Sequence, residues 1–284
     1  MRIRMGRPGR VARLAVGLAC AALAGTAQGA EPREYVLAVL PNEPAVTLHR
    51  NWKPFVEALS SKTGLGLRLK LYDRLPAFLE DSEKGLPDLL YTAPNMFYEA
   101  RRAQGYVPLV RGSGLLAGVV FVRRDSPIVS VADLQGKTVA FVGPDNLCAM
   151  ITRHALHSSG TRIEYNAAFT GSTINVVKMV LLRKADAGAS LDVALANDVP
   201  VLQRELRTIL QTGPVASHPL AAHPRVPAET RERIAAATIA MAETEGGRAL
   251  LAGVHLLAPV RADFARDYRQ FEKLYPTPLR SAVR

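Results

Sequence analysis

The sequence predicts a mixed α/β protein of two lobes, each consisting of a sheet covered by helices. Short apolar runs alternate with helical patterns along the 284 residues, and this alternation is typical of βαβ units. The alternation breaks once, at a glycine-punctuated stretch between residues 109 and 123, and then starts again. Two halves joined by extended segments favour two lobes with a hinge.

The first half is predicted to alternate strands and helices three times. Residues 35–40 are an apolar run bounded by Pro41 and Asn42, which predicts the first strand. Apolar residues then recur at helical spacing, which predicts a helix that begins near Asn51 and ends at Gly64. Further strands are predicted at 67–71 and 88–91, and further helices at 75–84 and 94–104.

The second half repeats this organisation after the break. Strands are predicted at 138–142, 165–169 and 187–190, helices at 147–158 and 173–182, and two closing helical stretches at 227–242 and 261–274. Residues 31–113 and 218–284 are assigned to lobe 1, and residues 114–217 to the hinge strands and lobe 2. Two extended crossovers, near 109–123 and 212–220, should form the hinge.

The first 30 residues have the composition of a secretory signal peptide. Five arginines and no acidic residue accompany an apolar run at 14–23, and small residues follow it. A run of this length is too short to cross a bilayer, which takes about 20 residues. We expect cleavage between Ala27 and Ala30 and export to the periplasm.

Removal of that segment would change the charge and the cysteine content. The formal net charge would fall from +11 to +6 because five arginines leave, and Cys148 would be the one cysteine left. The other basic residues form no dense run with interleaved aromatics, which disfavours nucleic acid as a partner. No intramolecular disulfide could form, so Cys148 would be an unpaired thiol in an oxidising compartment.

The sequence favours a binding protein over an enzyme. It contains no G-x-x-x-x-G-K, G-x-S-x-G or H-E-x-x-H pattern, and it indicates no cofactor. A catalytic pair of Cys148 and His154 is geometrically poor, because six helical residues place the side chains on divergent faces. His154, and also His218 and His223 beside their prolines, are expected to be surface residues.

Three predicted junctions share one geometry: a strand ends, small or polar residues follow, and a helix begins. They lie at residues 91–95, 143–148 and 170–173. Ligands of open α/β sheets gather at the carboxyl ends of strands, where helix N-termini present N–H groups and a partial positive charge. Ordinary helix capping is the alternative explanation for any single junction. Together they predict one cavity lined by Thr92, Cys148 and Ser172.

Two interpretations of Cys148 remain open. The residue shares a helical stripe with Ile151, Thr152 and Ala155, which is typical of a small side chain packed in a core. It also lies in the first turn of a predicted helix, where the helix dipole lowers the pKa of a thiol and favours thiolate. The unpaired state in a secreted protein favours the second, functional interpretation.

Several short segments match one known family in their order and spacing. They are WKPF at 52–55, DLLY at 88–91, VRRDSPI at 122–128, DLQGKTVAF at 133–141, GS at 171–172, KADAGA at 184–189, HPL at 218–220, LAPV at 257–260 and DY at 267–268. From about residue 35 to 274 the chain resembles the periplasmic binding proteins of ABC transporters for phosphate, phosphite and phosphonates. The resemblance implies a type II periplasmic binding protein fold: two α/β lobes, a two-strand hinge and a ligand cleft between the lobes.

The resemblance also implies where the ligand lies, although key residues differ from the family pattern. The family's Ser-Thr-Ser run at a helix start corresponds to residues 146–148, where an amide, an isobutyl group and a thiol replace the hydroxyl-bearing side chains. A family tyrosine corresponds to Tyr91 or Thr92, and a family histidine corresponds to Ser172. The expected ligand-binding residues are Tyr91, Thr92, Asn146, Cys148, Ser172 and Thr173.

A thiol at a position that grips the ligand indicates a soft ligand. Arsenite, a neutral trihydroxy species near pH 7, would bind through the sulfur of Cys148 and through hydrogen bonds to its hydroxyls. In this respect the chain is similar to the arsenite-sensing branch of the family, which works with a membrane histidine kinase. We therefore expect an arsenite-binding protein that signals to such a kinase.

Two alternatives remain. One is the substrate-binding component of an ABC transporter for phosphate, phosphite or phosphonate, with a permease as partner. This alternative is favoured if Cys148 is buried away from the cleft. The other is a thiol enzyme, for which the sequence offers no base.

Overall fold

The structure, a computed structural model, describes residues 33–158 and 163–274. The predicted signal peptide at 1–30 lies outside the described residues. The described strands are β1 (Glu34–Val39), β2 (Gly66–Lys70), β3 (Leu89–Tyr91), β4 (Val107–Arg111), β5 (Leu115–Leu116), β6 (Gly118–Arg123), β7 (Thr138–Phe141), β8 (Asn166–Phe169), β9 (Ala187–Leu191), β10 (Leu206–Gln211), β11 (Val215–Ala216), β12 (Pro219–Ala222) and β13 (Val260–Arg261). The described α-helices are α1 (Ala45–Thr63), α2 (Leu75–Glu83), α3 (Pro94–Gln104), α4 (Leu147–Ser158), α5 (Thr173–Leu181), α6 (Asp192–Asp198), α7 (Ala228–Ala240), α8 (Glu245–Gly253) and α9 (Phe271–Leu274).

Two large sheets form two lobes. The first has the order β13-β4-β12-β3-β1-β2 and the second the order β10-β6-β9-β7-β8. β1 runs parallel to β2 and β3, and β7 runs parallel to β8 and β9, as strands joined by helical crossovers must. β12 lies antiparallel between β3 and β4, and β6 lies antiparallel between β9 and β10. The two-lobed α/β fold that the sequence predicts is confirmed.

Both faces of the first sheet are buried, because alternate residues of β1 enter different hydrophobic clusters. Leu37 and Val39 belong to the cluster that contains Trp52 of α1, whereas Ala38 belongs to the cluster of Phe97 in α3. Trp52 and Phe97 are both almost completely buried. Burying side chains of this size stabilises the lobe by about 2–3 kcal/mol each.

The second sheet is also covered on both faces. Val120 packs in a cluster with Cys148 of α4, and its neighbour Phe121 packs in a separate cluster with Val176 of α5. At Gly188 of β9, a Cβ atom would lie 2.7 Å from the side chain of Val176 and 2.8 Å from the ring of Phe121. Glycine at this position therefore allows α5 to approach the sheet closely.

Two crossovers join the lobes. The chain leaves the first sheet after β4 and passes through β5 into the second sheet, and it returns from β10 through β11 to β12. β5 and β11 pair antiparallel, with Leu116 opposite Val215 and Leu115 opposite Ala216. A two-strand hinge is therefore present where the sequence predicts extended crossovers. The lobe limits at 113/114 and 217/218 stay a prediction.

Helix α4 belongs to the second lobe and also packs against the first. Leu147, Met150 and Ile151 lie on one face of the helix and enter the cluster that contains Phe97 and Tyr268 of the first lobe. Cys148 lies on the face that packs into the second lobe. The helix is thus shared by the two hydrophobic interiors.

Some elements differ from the prediction. α1 begins at Ala45 rather than near Asn51; its first turn has no capping side chain, so the sequence carries little start signal there. The stretch 261–274 is not one helix: β13 is followed by a π-helical turn at Phe264–Tyr268 and then by α9. α6 and α8 were not predicted. α6 is short and follows β9 directly, so its sequence shows little helical periodicity. α8 contains two adjacent glycines, which disfavour helix unless tertiary packing compensates.

Candidate ligand-binding cleft

The strand-to-helix junctions of the two lobes approach each other. The side-chain amide Nδ2 of Asn95, in the first turn of α3, donates a hydrogen bond to the backbone oxygen of Asp145 at 3.1 Å. Asn95 follows β3 in the first lobe, and Asp145 follows β7 in the second. The carboxyl ends of β3 and β7 therefore face one another across the cleft, where an α/β ligand site is expected. Asn95 was not among the predicted site residues.

Thr92 is buried at the first-lobe side of this junction, with only 1% of its surface exposed. Its backbone N–H donates to Pro219 O at 3.3 Å. Its hydroxyl Oγ1 has no hydrogen-bond partner among the residues that the structure describes. A buried hydroxyl without a partner costs about 1–3 kcal/mol, and such an atom calls for an explanation.

The ring of Tyr91 packs in the first-lobe core. Its ring lies 4.6 Å from that of Trp52 and stacks on the ring of His218 at 5.7 Å. Burial, together with the charge of Glu43, raises the pKa of Tyr91 well above its usual value, so the phenol stays neutral. Of the two residues that the family tyrosine could match, Thr92 is the one whose hydroxyl is fully buried without a hydrogen-bond partner among the described residues.

His218 is not the surface residue that the sequence predicts. It immediately precedes β12 and stacks against Tyr91, next to the carbonyl of Pro219 that binds Thr92. Burial, reinforced by the charge of His255, lowers the pKa of His218 to about 4. His223 also packs on an aromatic ring, that of Tyr106. His218 therefore brings a neutral imidazole to the cleft edge. The His-Pro pair in the sequence did not indicate that this ring packs on Tyr91.

Asn146 and Cys148 take part in the start of α4. The side-chain oxygen Oδ1 of Asn146 accepts a hydrogen bond from the Cys148 backbone N–H at 2.9 Å, which is a helix-capping contact. The Cys148 side chain is 2% exposed, and its sulfur lies 3.7 Å from Thr152 Oγ1. The thiol thus occupies the place of a small core side chain, the first of the two interpretations.

The predicted lowering of the Cys148 pKa is wrong. Burial raises the pKa of this thiol to about 12, and the hydrogen bond from Thr152 offsets only part of that effect. Loss of water around the sulfur disfavours the charged form more strongly than the helix dipole favours it. At neutral pH the group is a protonated thiol.

The second lobe brings a pair of hydroxyls to its own strand ends. Thr173 Oγ1 lies 2.9 Å from Ser190 Oγ, and both residues are buried. Ser172 caps α5, because its hydroxyl accepts from the Asn175 backbone N–H at 3.3 Å. Ser190 was missed because its position near the end of β9, rather than any motif, brings it here.

Two acidic side chains close to this edge have hydrogen-bond partners. Glu43 pairs with His255 at 2.9 Å, and the Asp192 carboxylate accepts the Ala117 backbone N–H at 3.1 Å. Burial raises the pKa of Asp145. The described polar groups at the cleft edge are thus suited to hydrogen bonding more than to binding by opposite charge.

The structure brings two of the predicted junctions together, and among the predicted site residues it joins Asn146 to Cys148. Asn95 joins the 91–95 junction to the 143–148 junction, and Thr173 joins Ser190. Within the described residues, no hydrogen bond joins Thr92 to Ser172. The prediction that Thr92, Cys148 and Ser172 line one cavity therefore stays a prediction, and the buried thiol weighs against the part of Cys148 in it.

The described residues contain neither a metal-binding cluster nor a membrane-spanning helix. Between 33 and 274, leaving out 159–162, no three His, Cys, Asp or Glu side chains are grouped so that they could hold a metal ion. In the same part of the chain, no helix has both the length and the hydrophobicity of a membrane span.

Two α/β lobes, a paired-strand hinge and facing strand ends define a substrate-binding protein of the bilobal class. The sequence profile of the periplasmic substrate-binding proteins of phosphonate ABC transporters matches residues 37–268. The chain belongs to this family. Membership implies binding rather than catalysis, and a periplasmic location. A comparison with curated protein sequences gave no significant match.

Solved structures share this fold at low sequence identity. XAC2383 from Xanthomonas citri, bound to chloride ion, is 19% identical with a TM-score of 0.73, over 85% of this chain and 95% of that one. PhnD1 from Prochlorococcus marinus, in complex with methylphosphonate, is 14% identical with a TM-score of 0.70, over 86% and 97%. A binding protein component of an ABC phosphonate transporter (PA3383) from Pseudomonas aeruginosa is 13% identical with a TM-score of 0.67, over 82% of each. At these identities the likeness shows the fold alone.

Proposed function

We propose that this chain is the substrate-binding component of an ABC importer and that it holds a small phosphorus oxyanion, a phosphonate, phosphite or phosphate, between its lobes. Thr92 carries the proposal. Its hydroxyl is buried at the edge where the lobes meet and has no hydrogen-bond partner among the described residues. An oxygen of a bound oxyanion would accept the hydrogen bond that the hydroxyl can donate.

The second lobe supplies complementary donors. In the Thr173 and Ser190 pair, one hydroxyl donates to the other, which leaves one hydrogen for a ligand oxygen. The N-termini of α4 and α5 add backbone N–H groups and a partial positive charge at the same strand ends. Such a site binds an oxyanion without a lysine or arginine.

The state of Cys148 favours phosphorus over arsenic. Arsenite binding by sulfur needs an accessible thiol that can give up its proton, whereas the Cys148 thiol is buried and burial raises its pKa to about 12. An ABC permease is the partner that the family suggests.

Thermal melting of the purified protein tests the proposal with methylphosphonate, phosphite, phosphate and arsenite. A phosphorus oxyanion should raise the melting temperature, by the equivalent of about 2.7 kcal/mol at a hundredfold excess over the dissociation constant. Thr92→Val should abolish this rise while keeping or improving the stability of the ligand-free protein, because it removes an unsatisfied buried hydroxyl.

Thr238→Val is the matched control. Thr238 is also fully buried in the first lobe, but its hydroxyl donates to Ile234 O within α7 at 2.8 Å. This variant should lose about 1 kcal/mol of stability and keep the ligand-induced rise. Cys148→Ser should also keep it. A rise with arsenite alone that Cys148→Ser abolishes would refute the proposal in favour of arsenite binding.

A further inference from the structure

The π-helical turn at Phe264–Tyr268 contacts the hinge directly. Tyr268 is completely buried, and its hydroxyl donates to the backbone oxygen of Ser217 at 2.9 Å. Ser217 lies in the second crossover, between β11 and β12. The Tyr268 ring belongs to the same cluster as Leu116 of β5 and Val215 of β11, the two paired hinge strands.

The residue before Tyr268 holds the other crossover. The Asp267 carboxylate accepts a hydrogen bond from the guanidinium of Arg111 at 3.1 Å, and both side chains are largely buried. Arg111 ends β4, where the first crossover begins, and it also donates to Gly112 O at 2.8 Å. The carboxylate is fixed in turn by the backbone N–H of Asp263 at 2.9 Å.

The two crossovers are linked to each other at this point. The Ser217 hydroxyl donates to Gly112 O at 2.8 Å. Gly112 follows Arg111 in the first crossover, and Ser217 lies in the second, so this bond joins the two crossovers. Beyond the turn, α9 packs against α4, the helix that the two lobes share. Residues 263–274 therefore touch both crossovers and the shared helix.

We propose that residues 263–274, the terminal brace, set the angle between the lobes. Hinge closure needs backbone rotation in the crossovers. Because the brace holds the first-lobe ends of both crossovers, rotation is confined to the short segments beyond Gly112 and before Ser217. π-helical turns are rare in proteins, and those that occur often lie at functional sites. The effect of the brace on the interlobe angle does not depend on which ligand the cleft binds.

Tyr268→Phe tests the brace, with Tyr106→Phe as a matched control. Both tyrosines are completely buried in the same hydrophobic cluster, and both donate to a backbone carbonyl, Tyr106 to Pro87 O at 2.6 Å. The acceptor of the Tyr106 hydrogen bond, Pro87 O, lies outside the crossovers, whereas that of Tyr268, Ser217 O, lies within one. Each substitution removes one hydroxyl and keeps the ring, so only the location of the lost hydrogen bond differs.

The measurement is the interlobe distance distribution of the ligand-free full-length protein by double electron–electron resonance. Spin labels are placed on the exposed positions Lys62 of α1 and Lys178 of α5, one in each lobe. The parent protein, which retains Cys20 and the buried Cys148, is checked for lack of labelling. Tyr268→Phe should broaden the distribution and raise the ratio of the new to the parental population about fivefold, which corresponds to about 1 kcal/mol. Tyr106→Phe should give the parental distribution.

Ser217→Ala provides a second route, because it removes the link between the crossovers at a half-buried position. It should broaden the distribution in the same sense, and it replaces Tyr268→Phe if that variant does not fold. A parental distribution in both hinge variants would overturn the proposal. So would equal broadening by Tyr106→Phe, because the effect would then follow from losing any buried hydrogen bond.

Discussion

At the scale of single residues, His218 is kept neutral by two different causes. Removal from water disfavours the imidazolium ion, and the nearby His255, itself paired with Glu43, adds repulsion. The ordinary pKa of 6.5 is lowered to about 4. A neutral ring can stack on the Tyr91 phenol without carrying a charge into the first-lobe core.

This shift predicts how stability depends on pH. As the pH falls below about 6.5, His218 takes up a proton in the unfolded chain but not in the folded one, so the unfolding free energy declines until the pH reaches about 4. The stability is fully present above pH 6.5. The loss from this residue amounts to about 2–3 kcal/mol at pH 4.5.

Urea unfolding at pH 7.5 and pH 4.5 measures this loss of unfolding free energy. His218→Asn should lose clearly less stability between the two values than the parent does. His49→Asn, at an exposed histidine of α1, should behave like the parent. Equal losses in all three proteins would mean that His218 is protonated in the folded state.

Sequence patterns predict where the candidate site lies, but they do not predict the burial or the protonation of its residues. Junction residues such as Thr92 and Thr173 could be named, because strand ends and helix starts are local patterns. The buried state of Cys148 depends on the second-lobe cluster, and that of His218 depends on Tyr91, far away in the chain. Such pairings arise only when the sheets assemble.

At the scale of elements, α5 shows how a predicted site residue also has a structural task. Ser172→Ala removes the hydroxyl that accepts from the Asn175 N–H, and it should lower the unfolding free energy by about 1 kcal/mol in urea titration. Ser172→Thr keeps a capping hydroxyl and should lose less. If the alanine and threonine variants were equally unstable, capping would not be the cause.

Elements with strong local patterns were predicted well. The helix predicted at 94–104 coincides with α3, which has proline at its start and Gly105 in the left-handed conformation at its end. The end of α1 at Gly64 was predicted for the same reason. The start of α1 was missed because no capping side chain marks it. α8 was missed although Thr244 caps it, because its adjacent glycines disfavour helix.

At the scale of the whole molecule, α4 should make the two lobes unfold together. Ile151 is 3% exposed and lies on the α4 face that packs into the first-lobe cluster. Calorimetry of the parent should show one transition. Ile151→Ala should cost about 2–4 kcal/mol and split or broaden the transition, because it weakens the contact between the lobes.

Ile234→Ala is the matched control for coupling. Ile234 is completely buried in a cluster of the first lobe alone. A similar loss of stability with a single sharp transition is expected. A single sharp transition in both variants would show that the lobes are coupled by something other than this face of α4.

The position of β12 has a consequence for the order in which the chain assembles. β12 lies between β3 and β4 in the first sheet, although all strands of the second sheet come between β4 and β12 in the sequence. The second sheet is built from one continuous stretch and can be completed as soon as that stretch is available. Until residues 219–222 arrive, β3 and β4 each present an open edge, and open edges are where chains pair wrongly. A chain that emerges N-terminus first can therefore complete the second lobe before the first lobe, although β1 to β4 of the first lobe emerge earlier.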